Sequence, residues 1–284
     1  MKNFSIETIC ETDNMFLPRR MVWSPDDSLL LLSSFCNEVR IIDSSLNTNL
    51  EKTFPRMVTD IVWYPGMRIE NRASWAFASV CPHYPIELID AGDGHQRGAY
   101  ICQSGSDSTA SLTCLAFCGA SILAGCSRCI FSCDIVRQDR KGSMAAKFSG
   151  TALSIGCHPT AGVLASGTST GDALLLDSRS FQQVCSWHPW RGSHGIDSVV
   201  WADENLLLCS ARLEDTVCAL DVWQPSSAVR SRADLFLWAH LGRSISGRRV
   251  FPALPALGTR KGPQGFTTIR KICNVYMRKM SLLR

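Results

Sequence analysis

An all-β fold of the propeller kind is predicted for this chain by three observations. Short apolar segments close on aspartate at positions 43, 90, 134, 177 and 221. A second strand-plus-turn element keeps register with them. A third, apolar element that ends in small residues lies between the two. The closing segments are Val39-Arg40-Ile41-Ile42-Asp43, Ile86-Glu87-Leu88-Ile89-Asp90, Ile130-Phe131-Ser132-Cys133-Asp134, Ala173-Leu174-Leu175-Leu176-Asp177 and Val217-Cys218-Ala219-Leu220-Asp221. Their aspartates are separated by 47, 44, 43 and 44 residues.

The strand-plus-turn element reads Val22-Trp23-Ser24-Pro25, Val62-Trp63-Tyr64-Pro65, Ala116-Phe117-Cys118-Gly119, Gly156-Cys157-His158-Pro159 and Val200-Trp201-Ala202-Asp203. From Trp23, Cys157 and Trp201 to the closing aspartate is 20 residues. From Trp63 it is 27, which implies an inserted loop around Arg68 to Ser74, and from Phe117 it is 17, a shortened unit. The intervening element runs Leu29–Ser34, Trp75–Ser79, Ser121–Gly125, Val163–Gly167 and Leu206–Ser210. An apolar run meeting small residues is expected of a strand buried on both faces that ends in a tight turn.

A period near 44 residues with four strands per unit is the pattern of a WD-repeat β-propeller. A four-stranded blade has two apolar faces and buries neither alone, whereas stacking against neighbours buries both. A β-sandwich has strands at similar spacing but no reason to hold this period five times. The expected fold is therefore an incomplete propeller of five recognisable blades. The usual Trp-Asp pair is replaced here by Ile-Asp, Leu-Asp or Cys-Asp. The residues expected to carry the repeat are Trp23, Asp43, Trp63, Tyr64, Pro65, Asp90, Asp134, Asp177, Trp201 and Asp221.

The domain reading follows. Residues 1–15 form an N-terminal segment and a possible closing strand, residues 16–225 the blades, and residues 226–284 a non-repeat basic tail. Net charge divides in the same place. Residues 1–227 hold 17 basic and 24 acidic side chains, and residues 228–284 hold 12 and one. The tail carries Pro252, Pro255 and Pro263, then Ile269, Ile272, Tyr276, Met280 and Leu283 at helical spacing. Two readings stand for it: a basic amphipathic helix, or sequence read through from a misassigned exon. In the first, Arg248, Arg249, Arg270, Lys271, Arg278 and Lys279 are the candidates for touching nucleic acid.

Composition excludes other classes. With 45% hydrophobic and 19% charged residues the chain is ordinary globular protein. Met1 to Cys10 shows no apolar signal core, and no apolar run approaches the roughly 20 residues of a membrane span. An intracellular protein is expected. Most of the 14 cysteines sit in strand-like runs, so they are expected to be reduced and structural.

Three motifs with chemical possibilities receive structural readings. Cys126-Ser127-Arg128-Cys129 with Cys133 imitates a zinc half-site but has no second ligand pair, and core cysteine is favoured. Cys157-His158-Pro159 occupies a turn, and neighbouring strand residues point to opposite faces. Trp187-His188-Pro189-Trp190 with His194 could stack bases, but a packed loop between blades is favoured. Phosphate-cradling and nucleophile motifs are missing, so neither enzyme activity, a cofactor nor a small-molecule substrate is expected.

One family shares several of these segments in order. Asn14-Met15-Phe16-Leu17 through Trp23-Ser24-Pro25-Asp26-Asp27 to Val39-Arg40-Ile41 resembles the first blade of the telomerase Cajal body protein family. Asp60-Ile61-Val62-Trp63-Tyr64-Pro65-Gly66-Met67 resembles its second-blade Trp-Tyr-Pro-x-Met signature. After the inserted loop, Tyr84-Pro85-Ile86-Glu87-Leu88-Ile89-Asp90-Ala91 is similar to its Asn-Pro-Ile-x-x-Trp-Asp-Ala. Ser210-Ala211-Arg212, Asp215 and Leu220-Asp221 are also similar.

The resemblance covers roughly Asn14 to Trp223. It implies a WD-repeat scaffold that binds small nuclear RNA of the box H/ACA type and telomerase ribonucleoprotein. It also implies delivery of that cargo to Cajal bodies in the nucleus, with other proteins as further partners and no membrane. The chain departs from the family where the basic tail takes the place of the last two blades, and the low-complexity N-terminal extension has no counterpart. The alternative from a different class is a protein-interaction propeller without RNA, favoured by the acidic balance of the blades.

Overall fold

The computed structural model describes residues 16, 18–43, 47–103, 109–137, 141–190, 195–211, 214, 216–222 and 229–232. They form antiparallel sheets arranged as a propeller. The first sheet is β1 (Pro18–Trp23), β2 (Leu29–Ser34), β3 (Glu38–Asp43) and β4 (Thr48–Thr53). The second is β5 (Asp60–Trp63), β6 (Ala76–Val80), β7 (Ile86–Asp90) and β8 (Gln96–Tyr100). A six-stranded sheet follows: β9 (Cys114–Cys118), β10 (Ser121–Asp134), β11 (Ser143–Cys157), β12 (Val163–Thr168), β13 (Ala173–Asp177) and β14 (Gln183–Trp187). The last sheet is β15 (Ile196–Trp201), β16 (Leu206–Ala211), β17 (Thr216–Asp221) and β18 (Val229–Arg232).

The six-stranded sheet holds two repeat units joined end to end. β10 turns back on itself at Ser127–Arg128, where Arg128 has φ 62° and the Cys126 and Cys129 sulfurs come within 2.9 Å. One leg, Ser121 to Gly125, pairs with β9, and the other, Cys129 to Ser132, pairs with the start of β11. β11 then passes Gly150, at φ +82°, and its second half pairs with β12. Four sheets thus contain the five units read from the sequence.

β18 lies beyond residue 225. Val229–Arg232 pairs with β17, so the fifth unit runs past residue 225 into the segment read as tail. The fourth strands β4 and β14 are largely exposed, so they lack the apolar signature that marks the other three. Residues 1–15 and 233–284 lie outside the described residues.

The core is a set of seams between successive units. Positions four and two before each closing aspartate face the next unit; positions three and one before it face the previous unit. Val39 and Ile41 pack with Ile61, Trp63, Phe77 and Ile89 in the first seam. Ala78 and Ile86 of unit 2 meet Phe117, Ile122, Phe131 and Cys133 in the second. Ala116, Leu123 and Ile130 meet Ile155, Leu164 and Leu176 in the third. Ala173 and Leu175 meet Val199, Leu207, Cys218 and Leu220 in the fourth. Each large side chain so buried contributes roughly 1.5–3 kcal/mol.

The small residues that end each central strand have a steric cause, because the innermost strand of the next unit passes close to them. A Cβ on Gly167 would lie 2.7 Å from both the Cγ2 and the carbonyl oxygen of Ile196, the latter backbone that cannot move aside. We expect Gly167→Ala to destabilise the fold by about 1–3 kcal/mol in urea unfolding. A change within about 0.5 kcal/mol would mean that units 4 and 5 are not packed in this way.

Candidate functional site

The first strand of each unit lies innermost, and these strands line a central cavity of about 290 Å³. Its polar lining includes Arg20, Asp60, Ser154, Asp197 and Ser198. Asp60 is wholly buried at the start of β5. Its carboxylate pairs with the Arg20 guanidinium and accepts the Ile61 N–H at 2.7 Å and the Leu115 N–H at 2.7 Å. One side chain therefore ties β1, β5 and β9 together. Both oxygens are engaged by donors, which is how a buried carboxylate avoids its desolvation cost. Asp60 thus serves as a structural tie between three inner strands. The sequence reading missed Asp60 and Arg20. The available signal was an acid heading the apolar run Asp-Ile-Val-Trp.

The tryptophans lock seams. Trp63 Nε1 donates to the Val22 carbonyl at 2.9 Å, and Trp201 Nε1 donates to the Gly156 carbonyl at 3.0 Å. Trp201 also meets the His158 ring edge-on at 4.6 Å. Tyr64 meets Phe117 edge-on at 5.8 Å, Met67 is fully buried in the first seam, and Pro65 is exposed in the turn. Trp63, Tyr64 and Met67 of the Trp-Tyr-Pro-x-Met segment are therefore spent on packing. Trp23 differs, being 36% exposed beside Met21 at 42%.

The closing aspartates cap the turns that follow them. Asp43 accepts the Asn47 N–H, Asp90 the Gly92 N–H, Asp134 the Val136 N–H, and Asp177 the Arg179 and Ser180 N–H groups. Aspartate suits this place because its short carboxylate reaches backbone two to four residues ahead. At Asp90 partial burial acts to raise the carboxyl, but Arg97 and the Gly92 N–H outweigh it and hold Asp90 below its ordinary range. Asp221 ends β17 at the same position.

The motifs weighed for chemistry lie in packing positions. Cys126 and Cys129 flank the β10 turn, and Cys102 and Cys133 face each other at 3.6 Å within the second seam. Among the described residues no group of three or more His, Cys, Asp or Glu could hold a metal ion. His158 closes its turn: Nδ1 accepts the Thr160 and Ala161 N–H groups, and Nε2 lies 2.9 Å from the Glu204 carbonyl, to which it donates. Trp187 and Trp190 are buried in the fourth seam, while His188 is exposed and contacts Asp172 at 2.8 Å. His194, Arg248, Arg249, Arg270, Lys271, Arg278 and Lys279 lie outside the described residues. Among those described, no helix is long and apolar enough to cross a membrane.

The insertion in unit 2 is an exposed loop held by hydrogen bonds. The 3-10 turn Arg72–Ser74 is capped by Asn71, whose side chain accepts the Ala73 N–H. Asp26 of unit 1 accepts the Ile69 N–H, and Trp75 Nε1 donates to the Arg68 carbonyl at 3.0 Å. Partial burial acts to raise the Asp26 carboxyl, but its bonds from Ser28, Ser24 and Ile69 prevail and lower it. Arg68, Asn71 and Arg72 are thereby held in an exposed loop with a fixed backbone.

No protein-family model matches this chain and no curated protein matches it. The propeller arrangement of its sheets is consistent with a WD-repeat propeller.

Two measurements test the channel. Arg20→Met leaves the buried Asp60 carboxylate without its cation and should cost about 3 kcal/mol in urea unfolding; an unchanged midpoint would mean that the pair carries no weight. The second concerns Cys118, which lies beside the same buried cluster as Cys157. Interaction with Cys157 lowers the Cys118 thiol from its ordinary value of 9.0 to about 7 and raises Cys157. Thiolate therefore accumulates at Cys118 as pH rises through about 7. Alkylation by iodoacetamide, followed by mass spectrometry, should reach half its maximal rate there near that pH. A midpoint at 9 or above would mean that Cys157 does not stabilise the Cys118 thiolate.

Proposed function

We propose that this chain is a non-catalytic binding scaffold whose cargo is a small structured RNA of the box H/ACA type, carried within a nuclear ribonucleoprotein. The scaffold part of this reading is supported by how the fold uses its reactive side chains. The buried carboxylate, most of the cysteines, His158 and most of the tryptophans are engaged in seams and turns, which leaves recognition to exposed loops.

The RNA part rests on the ordered resemblance to the telomerase Cajal body proteins and on one observation, the rigid insertion in unit 2. A loop whose backbone is fixed by its cap, by Asp26 and by Trp75 loses little conformational entropy on binding. It presents Arg68 and Arg72, the side chains suited to phosphate and to stacked bases. Nuclear and Cajal-body location belongs to the same reading.

A second reading has its own observation. Residues 1–227 carry more acids than bases, which suits a protein partner better than a polyanion. The two separate in one experiment. Full-length protein is titrated against a box H/ACA RNA at several salt concentrations, beside the Arg68→Ala/Arg72→Ala double variant. RNA affinity should fall as salt rises, with a slope that drops by about 0.7 for each phosphate contact the variant loses on single strands. RNA recovery no better than that of an unrelated transcript would overturn the RNA reading in favour of the protein-interaction scaffold.

A further inference from the structure

Two pairs of thiols lie in the second seam. Cys102 and Cys133 face each other at 3.6 Å, and both residues are wholly buried. Cys126 and Cys129 stand closer, their sulfurs 2.9 Å apart and each residue 3% exposed. A disulfide bond is about 2.05 Å long, so a small rotation of either side chain closes the remaining gap.

The backbone brings this second pair together. Only Ser127 and Arg128 separate the two legs of the β10 hairpin, and both are exposed. In the other units three to five residues separate the corresponding strands. A two-residue turn holds its flanking Cα atoms within about 7 Å, and disulfides bridge Cα atoms about 4.4–6.8 Å apart. Each leg is also anchored from outside the hairpin. Gly125 accepts the Thr113 N–H at 2.8 Å on one leg, and Cys129 pairs with Lys147 of β11 on the other. Arg128 closes the turn at φ 62°, a left-handed conformation that residues with a Cβ rarely adopt. Such conformations persist where the surroundings over-determine them, and they gather at functional sites.

We infer that Cys126 and Cys129 form a dithiol–disulfide couple, a modification site whose oxidant is a low-molecular-weight disulfide. One protein sulfur, as thiolate, attacks that disulfide and releases half of it. The second protein sulfur, as thiolate, then attacks the mixed disulfide and releases the other half. The protein loses two protons and two electrons, and the oxidant leaves as two thiols. Burial, with the hydrogen bond to Cys129, pushes the Cys126 thiol up to about 12, so exchange is slow at neutral pH. Where glutathione is kept reduced, the pair rests as thiols. Once formed, the bond staples the two central strands of unit 3 at the second seam. The inference stands apart from the RNA reading, since the hairpin shares no residue with the insertion of unit 2.

The test uses the full-length chain, held native in oxidised or reduced glutathione, quenched with acid and blocked with N-ethylmaleimide before digestion. Trypsin cuts after Arg128, between the two cysteines, so the disulfide keeps residues 98–128 joined to residues 129–137. The expected result is this joined pair in oxidised glutathione, with fragmentation in the mass spectrometer placing the bond at Cys126 and Cys129. It should vanish on adding dithiothreitol and in Cys126→Ser, and persist in Cys102→Ser. Where circular dichroism finds Cys126→Ser unfolded, Cys126→Ala takes its place, and fragmentation of the wild-type pair decides the matter without either variant. Wild-type protein that yields no joined pair in oxidised glutathione would overturn the inference. So would a joined pair that survives in Cys126→Ser and disappears in Cys102→Ser, which would assign the bond to the deeper thiols.

Discussion

A sheet that is apolar on both faces is stable only between two others. Nearly every feature of this chain follows from that requirement. In the described units the residues before the closing aspartate alternate between neighbours, so a strand of five residues supplies two seams at once. The central strands are apolar along their whole length for the same reason. Small residues close them because the adjacent unit must approach within van der Waals contact. The aspartates then redirect the chain outward, their carboxylates replacing the backbone partners that the turn removes.

Polar groups are admitted to these seams on narrow terms. Trp63 and Trp201 bring indole N–H groups that reach across to a carbonyl, so a large ring is buried with its donor satisfied. His158 does the work of Ser24 in an equivalent turn, where Ser24 Oγ accepts the Ser28 and Leu29 N–H groups. An imidazole and a hydroxyl are interchangeable there because both offer an acceptor at the right reach. Both His158 nitrogens are engaged by backbone groups of that turn and of the next unit.

Much of this was legible in the sequence because it has a period. The aspartate spacing, the apolar alternation before each aspartate and the insertion before Trp75 all follow from local pattern. The fourth strands were not legible. Thr48–Thr53 and Gln183–Trp187 are largely exposed, and an exposed edge strand imposes no apolar rhythm. The Asp60 tie was equally hidden, since Arg20, Asp60 and Leu115 are brought together only by stacking three units. Pattern reveals which residues repeat, whereas this contact depends on residues that do not.

That contact has a consequence for how the molecule comes apart. Stacked repeats coupled only to nearest neighbours behave as a one-dimensional chain, free to fray a unit at a time from either end. Asp60 adds a link of longer range, because a single carboxylate in unit 2 is satisfied only while units 1 and 3 are both in place. Unit 1 therefore cannot peel away without leaving a buried charge behind it. Units 1 to 3 are thereby bound into one cooperative block.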